Sequence, residues 1–281
     1  MGSSTGGVGT VNVEGEDSVL MTELFEIGSY GTGSLNITDK GYVTSSIVAI
    51  VGYQANSNGK VVVEKGGEWL IKNNDSSIEF QIGNQGTGEA TIREGGLITA
   101  ENTIIGGNAT GIGTLNVQDQ DSVITVRRLY NGYFGNGKVN ISNNGLINNK
   151  EYSLVGVQDG SHGVVNVTDK GHWNFLGTGE AFRYIYIGDA GDGELRIIGL
   201  PYSVVVAAIN LYQLASTRTP VTRLMNFRCA LSAGDPESRV YHETSDGFFS
   251  KDQTVNFLQL FPRQRGAKIT VVLPDYTECL Q

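Results

Sequence analysis

The chain has 281 residues, and 39% of them are hydrophobic, which is enough to bury a core in one large domain or two ordinary ones. Its formal net charge of −9 argues against a nucleic-acid-binding surface, because such a surface needs clustered lysine and arginine to neutralise phosphates. No apolar run approaches the roughly 18 residues of a membrane-spanning helix, and the first residues lack the basic and apolar regions of a signal peptide. We therefore expect an acidic protein that neither binds nucleic acid nor inserts into a membrane.

A short motif recurs eight times in the first two thirds of the chain. Its clearest copy is Gly-Thr-Leu-Asn-Val at 113–117, a glycine followed by apolar residues that alternate with polar ones. The intervals between successive motif glycines are 24, 26, 29, 25, 24, 26 and 30 residues, a range typical of solenoid repeats. The eight copies begin at Gly9, Gly33, Gly59, Gly88, Gly113, Gly137, Gly163 and Gly193.

Each motif is followed by turn residues and by further apolar pieces. The alternation predicts a half-buried strand in which Leu115 and Val117 face one side and Asn116 faces the other. Polar pairs before a glycine, as at 39–41 and 143–145, predict a turn with positive φ. Two more apolar pieces complete a repeat of three short strands and three turns, and a glycine closes the second of them. The predicted closing pairs are Ile27-Gly28, Val51-Gly52, Ile82-Gly83, Ile105-Gly106, Phe134-Gly135, Val155-Gly156 and Ile187-Gly188.

Units of this size cannot bury a core singly, so we expect them to stack coil on coil. The predicted fold is mainly β, a right-handed parallel β-solenoid of about eight coils, with the handedness taken from the general preference of parallel crossovers. Stacking also predicts an outward ladder of amide side chains, an arrangement more typical of structure than of function. Its members are Asn12, Asn36, Asn116, Asn140 and Asn166.

The repeat resembles the one shared by autotransporter (type V secretion) passengers and PEP-CTERM-associated proteins. The likeness covers residues 9–197 and rests on an Ile-Gly strand end, a Gly-Thr-Gly spacer at 31–33 and 86–88, a Leu-Asn-Val strand and a Gly-x-Trp or Gly-x-Val return. It implies an extracellular β-helical passenger that serves adhesion or aggregation and is displayed by a membrane barrel. This chain carries neither the signal peptide nor the barrel strands of the full family plan.

The sequence changes character after Ile197. All five prolines and both cysteines lie beyond it, and the composition shifts from acidic to nearly neutral. We predict a β-solenoid domain at 1–198 and a small α+β domain at 199–281, which is a cap or a binding module. In the second domain we expect strands at 223–231, 239–242 and 267–273, a strand or short helix at 202–214, and a helix at 252–261.

Two cysteines, Cys229 and Cys279, lie 50 residues apart in this second domain. A disulfide between them would contribute about 4 kcal/mol in the loop-entropy model, and export as a passenger would favour oxidation. The alternative, two unrelated thiols, stays open. The tail at 198–281 is also weakly similar to the oligosaccharide-binding-fold B subunits of AB-type bacterial toxins, which implies a glycan-binding module. A cap over the last coil is the other interpretation.

Residues with catalytic or metal-binding potential are scattered. His162, His172 and His242 have no nucleophile or ligand set at a recognisable spacing, so we predict no catalytic residue, metal site or cofactor. Parallel β-helices do host polysaccharide lyases and hydrolases, which makes a carbohydrate-active enzyme an alternative. Such an enzyme needs two carboxylates about 5–9.5 Å apart across a cleft. The candidates Asp119, Asp121, Asp189 and Asp192 fall in predicted turns, where aspartate is common anyway.

Aromatic residues near the turns favour a binding function, since exposed aromatics recognise sugars and proteins. The predicted binding residues are Tyr30, Tyr53, Tyr130, Tyr133 and Tyr152, with Phe134 beside them. The leading hypothesis is an adhesin-like passenger, extracellular or on a bacterial cell surface, that binds a cell-surface glycan or protein, with self-association left open. A third hypothesis is a solenoid spacer fused to a toxin-like glycan-binding domain.

Overall fold

A computed structural model describes residues 1–72, 78–176 and 185–198, and the backbone of a strand at 267–272. All regular elements in these ranges are β-strands. In chain order they are β1 (Val8–Glu14), β2 (Val19–Ile27), β3 (Thr32–Thr38), β4 (Tyr42–Val51), β5 (Asn58–Val63), β6 (Glu68–Ile71), β7 (Glu79–Ile82), β8 (Thr87–Ile92), β9 (Leu97–Ile105), β10 (Ile112–Gln118), β11 (Val123–Asn131), β12 (Asn136–Ser142), β13 (Leu146–Asn149), β14 (Ser153–Val155), β15 (His162–Thr168), β16 (His172–Phe175), β17 (Ile185–Ile187), β18 (Asp192–Ile198) and β19 (Ala267–Val272).

The strands form a parallel β-solenoid, as the repeat predicts. Sheet A contains the eight motif strands in the order β1-β3-β5-β8-β10-β12-β15-β18, and sheet B contains the strands between them. Every strand pair is parallel, and the motif glycines are in register, as in Gly9 beside Gly33 and Gly113 beside Gly137. The chain completes seven coils and begins an eighth with β18. The right-handed sense of the solenoid stays a prediction.

Two sheets, and not three, make up the cross-section. In coils one, two, four and five the second and third predicted strands join into one continuous strand, β2, β4, β9 or β11. The strand pairing shows that one continuous strand corresponds to two shorter strands of the next coil. Both β6 and β7 pair with β4, and both β13 and β14 pair with β11. The prediction of three separate strands is therefore right only for coils three, six and seven.

The hydrophobic core is a single column between the two sheets. Motif residues such as Leu35, Ile37, Leu115 and Val117 are fully buried, because alternate side chains of a strand face the same side. Trp69 is the largest fully buried residue, and its ring contacts Phe25 and Phe80 edge to face at centroid distances of 6.1 and 5.2 Å.

The corner from sheet A to sheet B turns as the sequence predicts. Consecutive residues adopt left-handed backbone at Asp39-Lys40, Asn143-Asn144 and Asp169-Lys170, with φ between 47° and 68°. Asparagine and aspartate tolerate this conformation better than most residues, and the glycine that follows fits beneath the preceding coil. A Cβ at Gly145, for example, would lie 2.3 Å from the carbonyl oxygen of Val117.

The corner from sheet B back to sheet A corrects one predicted closing pair. In coil five the pair is Asn131-Gly132, not Phe134-Gly135: Gly132 has φ 69°, and Asn131 is in register with Val155. Asn131 is buried at an inward position of β11. Its side-chain Nδ2 donates a hydrogen bond to the carbonyl oxygen of Val164, at 2.9 Å. Phe134 instead lies on the turn and is 45% exposed.

With that correction, this corner alternates between two turn lengths. The distance from the positive-φ glycine to the next motif glycine is 5 residues at Gly28, Gly83, Gly132 and Gly188, and 7 residues at Gly2, Gly52, Gly106 and Gly156. Short turns nest against long ones: a Cβ at Gly135, on a short turn, would lie 2.3 and 2.4 Å from the carbonyl oxygens of Asn108 and Gly111 on the preceding long turn. The corner therefore repeats every two coils.

The predicted amide ladder is confirmed on the outer face of sheet A. Asn36 donates to Asn12 at 2.8 Å, Asn140 donates to Asn116 at 2.7 Å, and Asn166 donates to Asn140 at 2.9 Å. Asn116 continues the ladder by donating to Thr91 at 3.3 Å. These bonds tie neighbouring coils together.

The tail contributes one described strand. β19 pairs in parallel with β18 and so extends sheet A, with Ile269 in register with Leu195. The other tail predictions, including the helix at 252–261, His242 and the cysteines Cys229 and Cys279, lie outside the described residues, and the domain division at 198/199 stays a prediction. No helix in the described ranges is long and apolar enough to cross a bilayer.

Candidate functional site

Three of the five predicted binding tyrosines come together on coils five and six. The ring centroid of Tyr130 lies 5.6 Å from that of Tyr133 and 5.9 Å from that of Tyr152, and Phe134 continues the row 4.8 Å from Tyr133. All three contacts are edge to face, the arrangement that aromatic quadrupoles prefer. We call these four residues the aromatic cluster.

The solenoid register explains why residues distant in sequence meet here. Tyr130 lies on β11 between the buried residues Leu129 and Asn131, so it faces outward. Tyr133 and Phe134 are the central residues of the short turn that follows Gly132. Tyr152, on coil six, precedes Ser153, which pairs with Leu129. This register places Tyr152 beside β11 of coil five.

A hydrogen bond joins two members of the aromatic cluster. The hydroxyl oxygens of Tyr130 and Tyr152 are 2.8 Å apart. Burial, and then this hydrogen bond, raises the pKa of Tyr130 well above its ordinary 10.0. Tyr130 is therefore neutral throughout the physiological pH range and can act as a hydrogen-bond donor.

A pair of arginines flanks the aromatic cluster and shares one carboxylate. Glu151 accepts a hydrogen bond from Nε of Arg127 at 2.5 Å and from Nε of Arg128 at 2.7 Å. The Arg128 guanidinium carbon also lies 5.1 Å from the ring centre of Tyr152, a cation–π contact. Burial alone would raise the pKa of Glu151, but the two arginine hydrogen bonds outweigh burial and hold that pKa below its ordinary 4.5.

Charges of alternating sign connect this arginine pair to earlier coils. The register of β11 with β9 places Arg127 opposite Glu101, and Glu101 in turn lies 3.8 Å from Lys72. Lys150, next to Glu151 in the chain, is exposed, and no residue of the described ranges forms an ion pair with it. Residues of four successive coils therefore contribute charges to this part of sheet B.

The other two predicted binding tyrosines lie apart from the aromatic cluster. Tyr30 is on the short turn after Gly28 and is 52% exposed, while Tyr53 is on the long turn of the next coil. Tyr30 and Phe134 occupy equivalent places on their short turns, but those turns are four coils apart. The binding role of all five tyrosines stays a prediction.

The candidate catalytic carboxylates are divided between two corners. Asp119 and Asp121 form the turn between β10 and β11, with φ values of 72° and 67°. Asp189 and Asp192 lie at the opposite corner, where burial raises the pKa of Asp189. His162 is in register with Asp192 at the start of its strand, and His172 lies on β16. The described ranges contain no group of three or more histidine, cysteine, aspartate or glutamate residues that could hold a metal ion.

Sequence reasoning did not single out Arg127, Arg128 or Glu151. The available signal was the Arg-Arg pair itself, the one place in an acidic repeat region where two arginines are adjacent. Its partner Glu151 lies in the next coil, 24 residues from Arg127, so only the coil register shows the interaction.

Comparison with known proteins gives one close relative for part of the chain. A stretch of 197 residues, 70% of this chain, is 95% identical to a protein of Escherichia coli (strain K12) that carries the name "Uncharacterized lipoprotein YdeK". The chain spans about 15% of the length of that relative. No protein-family model and no solved structure matches the chain.

Proposed function

We propose that this chain is a segment of a surface-displayed solenoid that binds glycans through the aromatic cluster of coils five and six. The observation that carries the proposal is the row formed by Tyr152, Tyr130, Tyr133 and Phe134, whose rings touch each other and end in an exposed phenylalanine. Aromatic faces bury the apolar faces of sugars, and the tyrosine hydroxyls supply hydrogen bonds.

Rigidity of the surroundings supports the proposal. Tyr152 is held by the Tyr130 hydroxyl and by the guanidinium of Arg128, and Arg128 is held by Glu151. A surface whose side chains are already ordered loses less entropy on binding than a mobile one. The parallel sheets beneath it give the same advantage to the backbone.

The relative supports a location at the cell envelope. Because that protein is named a lipoprotein, we propose that this segment too is displayed on an envelope surface, by a lipid-anchored parent. Display by an autotransporter route, adhesion to host or neighbouring cells, and self-association are further parts of the same hypothesis.

Binding by the full-length chain to a glycan array, followed by calorimetric titration of the glycans retained, tests the proposal. Phe134→Ala should weaken binding at least tenfold, because it removes the exposed end of the row. Ile47→Ala is the matched control, since Ile47 is 53% exposed but lies on β4 of coil two, away from the aromatic cluster. The proposal fails if both variants bind as the wild type does, and such a result would favour binding by residues 199–281.

The same glycans separate binding from catalysis. We propose a protein that binds without turnover, so the glycans should be recovered at unchanged length after incubation. Shortened products that disappear in Asp189→Asn or Asp119→Asn would instead support the polysaccharide lyase or hydrolase hypothesis.

A further inference from the structure

Positive charge is concentrated beside the aromatic cluster although the chain as a whole is acidic. Arg127, Arg128 and Lys150 lie within two adjacent coils, and Glu151 is the carboxylate that contacts this group. The chain carries a formal net charge of −9, so this local excess of positive charge runs against the overall balance. Glu101, opposite Arg127 on β9, adds a second carboxylate but already lies 3.8 Å from Lys72. Two carboxylates cannot neutralise these four cations.

The arginines keep hydrogen-bonding capacity after pairing with Glu151. Each commits its Nε–H to that carboxylate, and a guanidinium carries four further N–H donors on its two terminal nitrogens. Those terminal donors form the fork that recognises carboxylates in a bidentate manner. Glu151 therefore orients the guanidiniums without using the whole of their binding edges.

The aromatic row and the cations form one continuous surface. Successive contacts lead from Phe134 to Tyr133, Tyr130 and Tyr152, and then to the guanidinium of Arg128, each no longer than 5.9 Å. A ligand that uses both ends must combine apolar faces with anionic groups and must be longer than one sugar ring. Inorganic anions lack the apolar face, and neutral glycans offer the guanidiniums only hydroxyl oxygens, without the charge of a bidentate carboxylate.

We propose that this surface, made of the aromatic cluster with Arg127, Arg128 and Lys150, binds an acidic glycan chain whose sugars carry carboxylates, of the polyuronate class. The inference rests on the proposed glycan-binding function and adds the charge of the ligand to it. Sugar faces stack along the aromatic row while ring carboxylates contact the guanidiniums, and Lys150 attracts the polyanion from a greater distance.

Calorimetric titration of the full-length chain with polygalacturonate, and with the same polymer after methyl esterification, tests the inference. Esterification removes the charge and leaves the sugar backbone, so we expect affinity for the acid form to be at least tenfold higher. Raising NaCl from 50 to 500 mM should weaken binding of the acid form severalfold and leave the ester unaffected.

Two variants test whether Lys150 and Arg128 are the source of the preference for the acid polymer over its ester. Lys150→Gln should weaken binding of the acid form threefold or more at low salt, and it leaves the Arg127–Glu151 and Arg128–Glu151 bonds in place. Lys170→Gln is its control, because Lys170 is an exposed lysine on the turn before β16. Arg128→Gln should reduce the affinity further and also lower the preference for acid over ester.

Three outcomes would overturn the inference, and one of them also overturns the proposed function. Equal affinity for acid and ester leaves glycan binding intact but removes the charge requirement. Equal affinity for polyglutamate of matched charge and length means that any polyanion binds, so the glycan class is wrong. Absence of binding to both polymers and to every neutral glycan of the array contradicts the proposed function itself.

Discussion

The hydroxyl oxygens of Tyr130 and Tyr152 lie 2.8 Å apart although the two residues are 22 positions apart in the sequence. The bond exists because one coil of the solenoid returns the chain to the same place on sheet B. It joins coils five and six within the aromatic cluster. Variants at Tyr130 and Tyr152 can therefore be tested both for stability and for glycan binding.

The ionisation of Tyr130 should depend on this bond and on burial. The folded-state pKa of Tyr130 is raised above 10.0, so the folded chain holds a proton that the unfolded chain releases. Stability is therefore fully present below pH 10 and falls as the pH rises beyond it. In a spectrophotometric titration, Tyr130→Phe should remove a tyrosine that ionises later than the rest. Tyr152→Phe should bring that ionisation partway back towards pH 10, because burial remains. Loss of a tyrosine titrating at pH 10 in the Tyr130→Phe variant would contradict the assignment.

Acid should weaken the contact between Glu151 and the two arginines. Because the arginines hold the pKa of Glu151 below 4.5 in the folded chain, its contribution to stability is present above that pH and is lost as the pH falls through the folded-state pKa. Urea midpoints measured between pH 7 and pH 3 should fall less steeply in Glu151→Gln than in the wild type. Glu16→Gln, which affects an exposed pair with Lys40, is the control and should leave the slope unchanged. An unchanged slope for Glu151→Gln as well would rule out the stabilising role.

Two glycines with the same backbone conformation allow strain to be separated from steric overlap. Gly83 has φ 69°, and a Cβ there would lie 2.2 Å from the carbonyl oxygen of Ile112; Gly160 has φ 77° with nothing within 4 Å of a Cβ. Gly160→Ala should cost about 1 kcal/mol of unfolding free energy through left-handed strain alone. Gly83→Ala should cost several times more, because the coil above it must move. Equal shifts in the denaturation midpoints would show that the stacked coils can separate at little cost.

Trp69 should be the most sensitive single position of the core. It is fully buried between Phe25 and Phe80, and its Nε1 donates to Ser45 Oγ at 3.1 Å. Trp69→Ala should cost about 3–5 kcal/mol, as large-to-small aromatic substitutions in cores do. Tyr30→Ala, on an exposed turn, should change the denaturation midpoint little. Because solenoid stability is a sum over neighbouring coils, a local loss of structure around coil three would also confirm the role of Trp69.

The fold could be predicted from the sequence because its physical causes are local. A period of two places Leu115 and Val117 inside and Asn116 outside, and residues such as Asp39 and Asn143 tolerate the left-handed turn that follows. The same local reasoning assigned coil five wrongly. It preferred the apolar Phe134 over Asn131 as the buried residue before the glycine, since a buried amide needs a partner that the sequence does not show. That partner, the Val164 carbonyl, lies 33 residues away.

The site could be predicted only in part for a related reason. Tyrosines near turns can be read from the sequence, but which of them meet depends on the length of each coil between them. Tyr130 and Tyr152 are separated by one coil and touch, whereas Tyr30 and Phe134 occupy equivalent turns four coils apart. The Arg127–Glu151 and Arg128–Glu151 bonds depend on register in the same way.

The alternation of short and long turns at the second corner sets the step by which this solenoid can grow. A short turn such as the one at Gly135 nests under the long turn that precedes it. We therefore expect two short turns in succession to leave that space empty and two long turns to overlap. Deletion of one coil should disturb the corner, whereas deletion or duplication of a pair, about 50 residues, should preserve it. The repeating unit of this architecture is therefore the pair of coils. A solenoid shortened or lengthened by whole pairs should keep both its corner packing and its strand register.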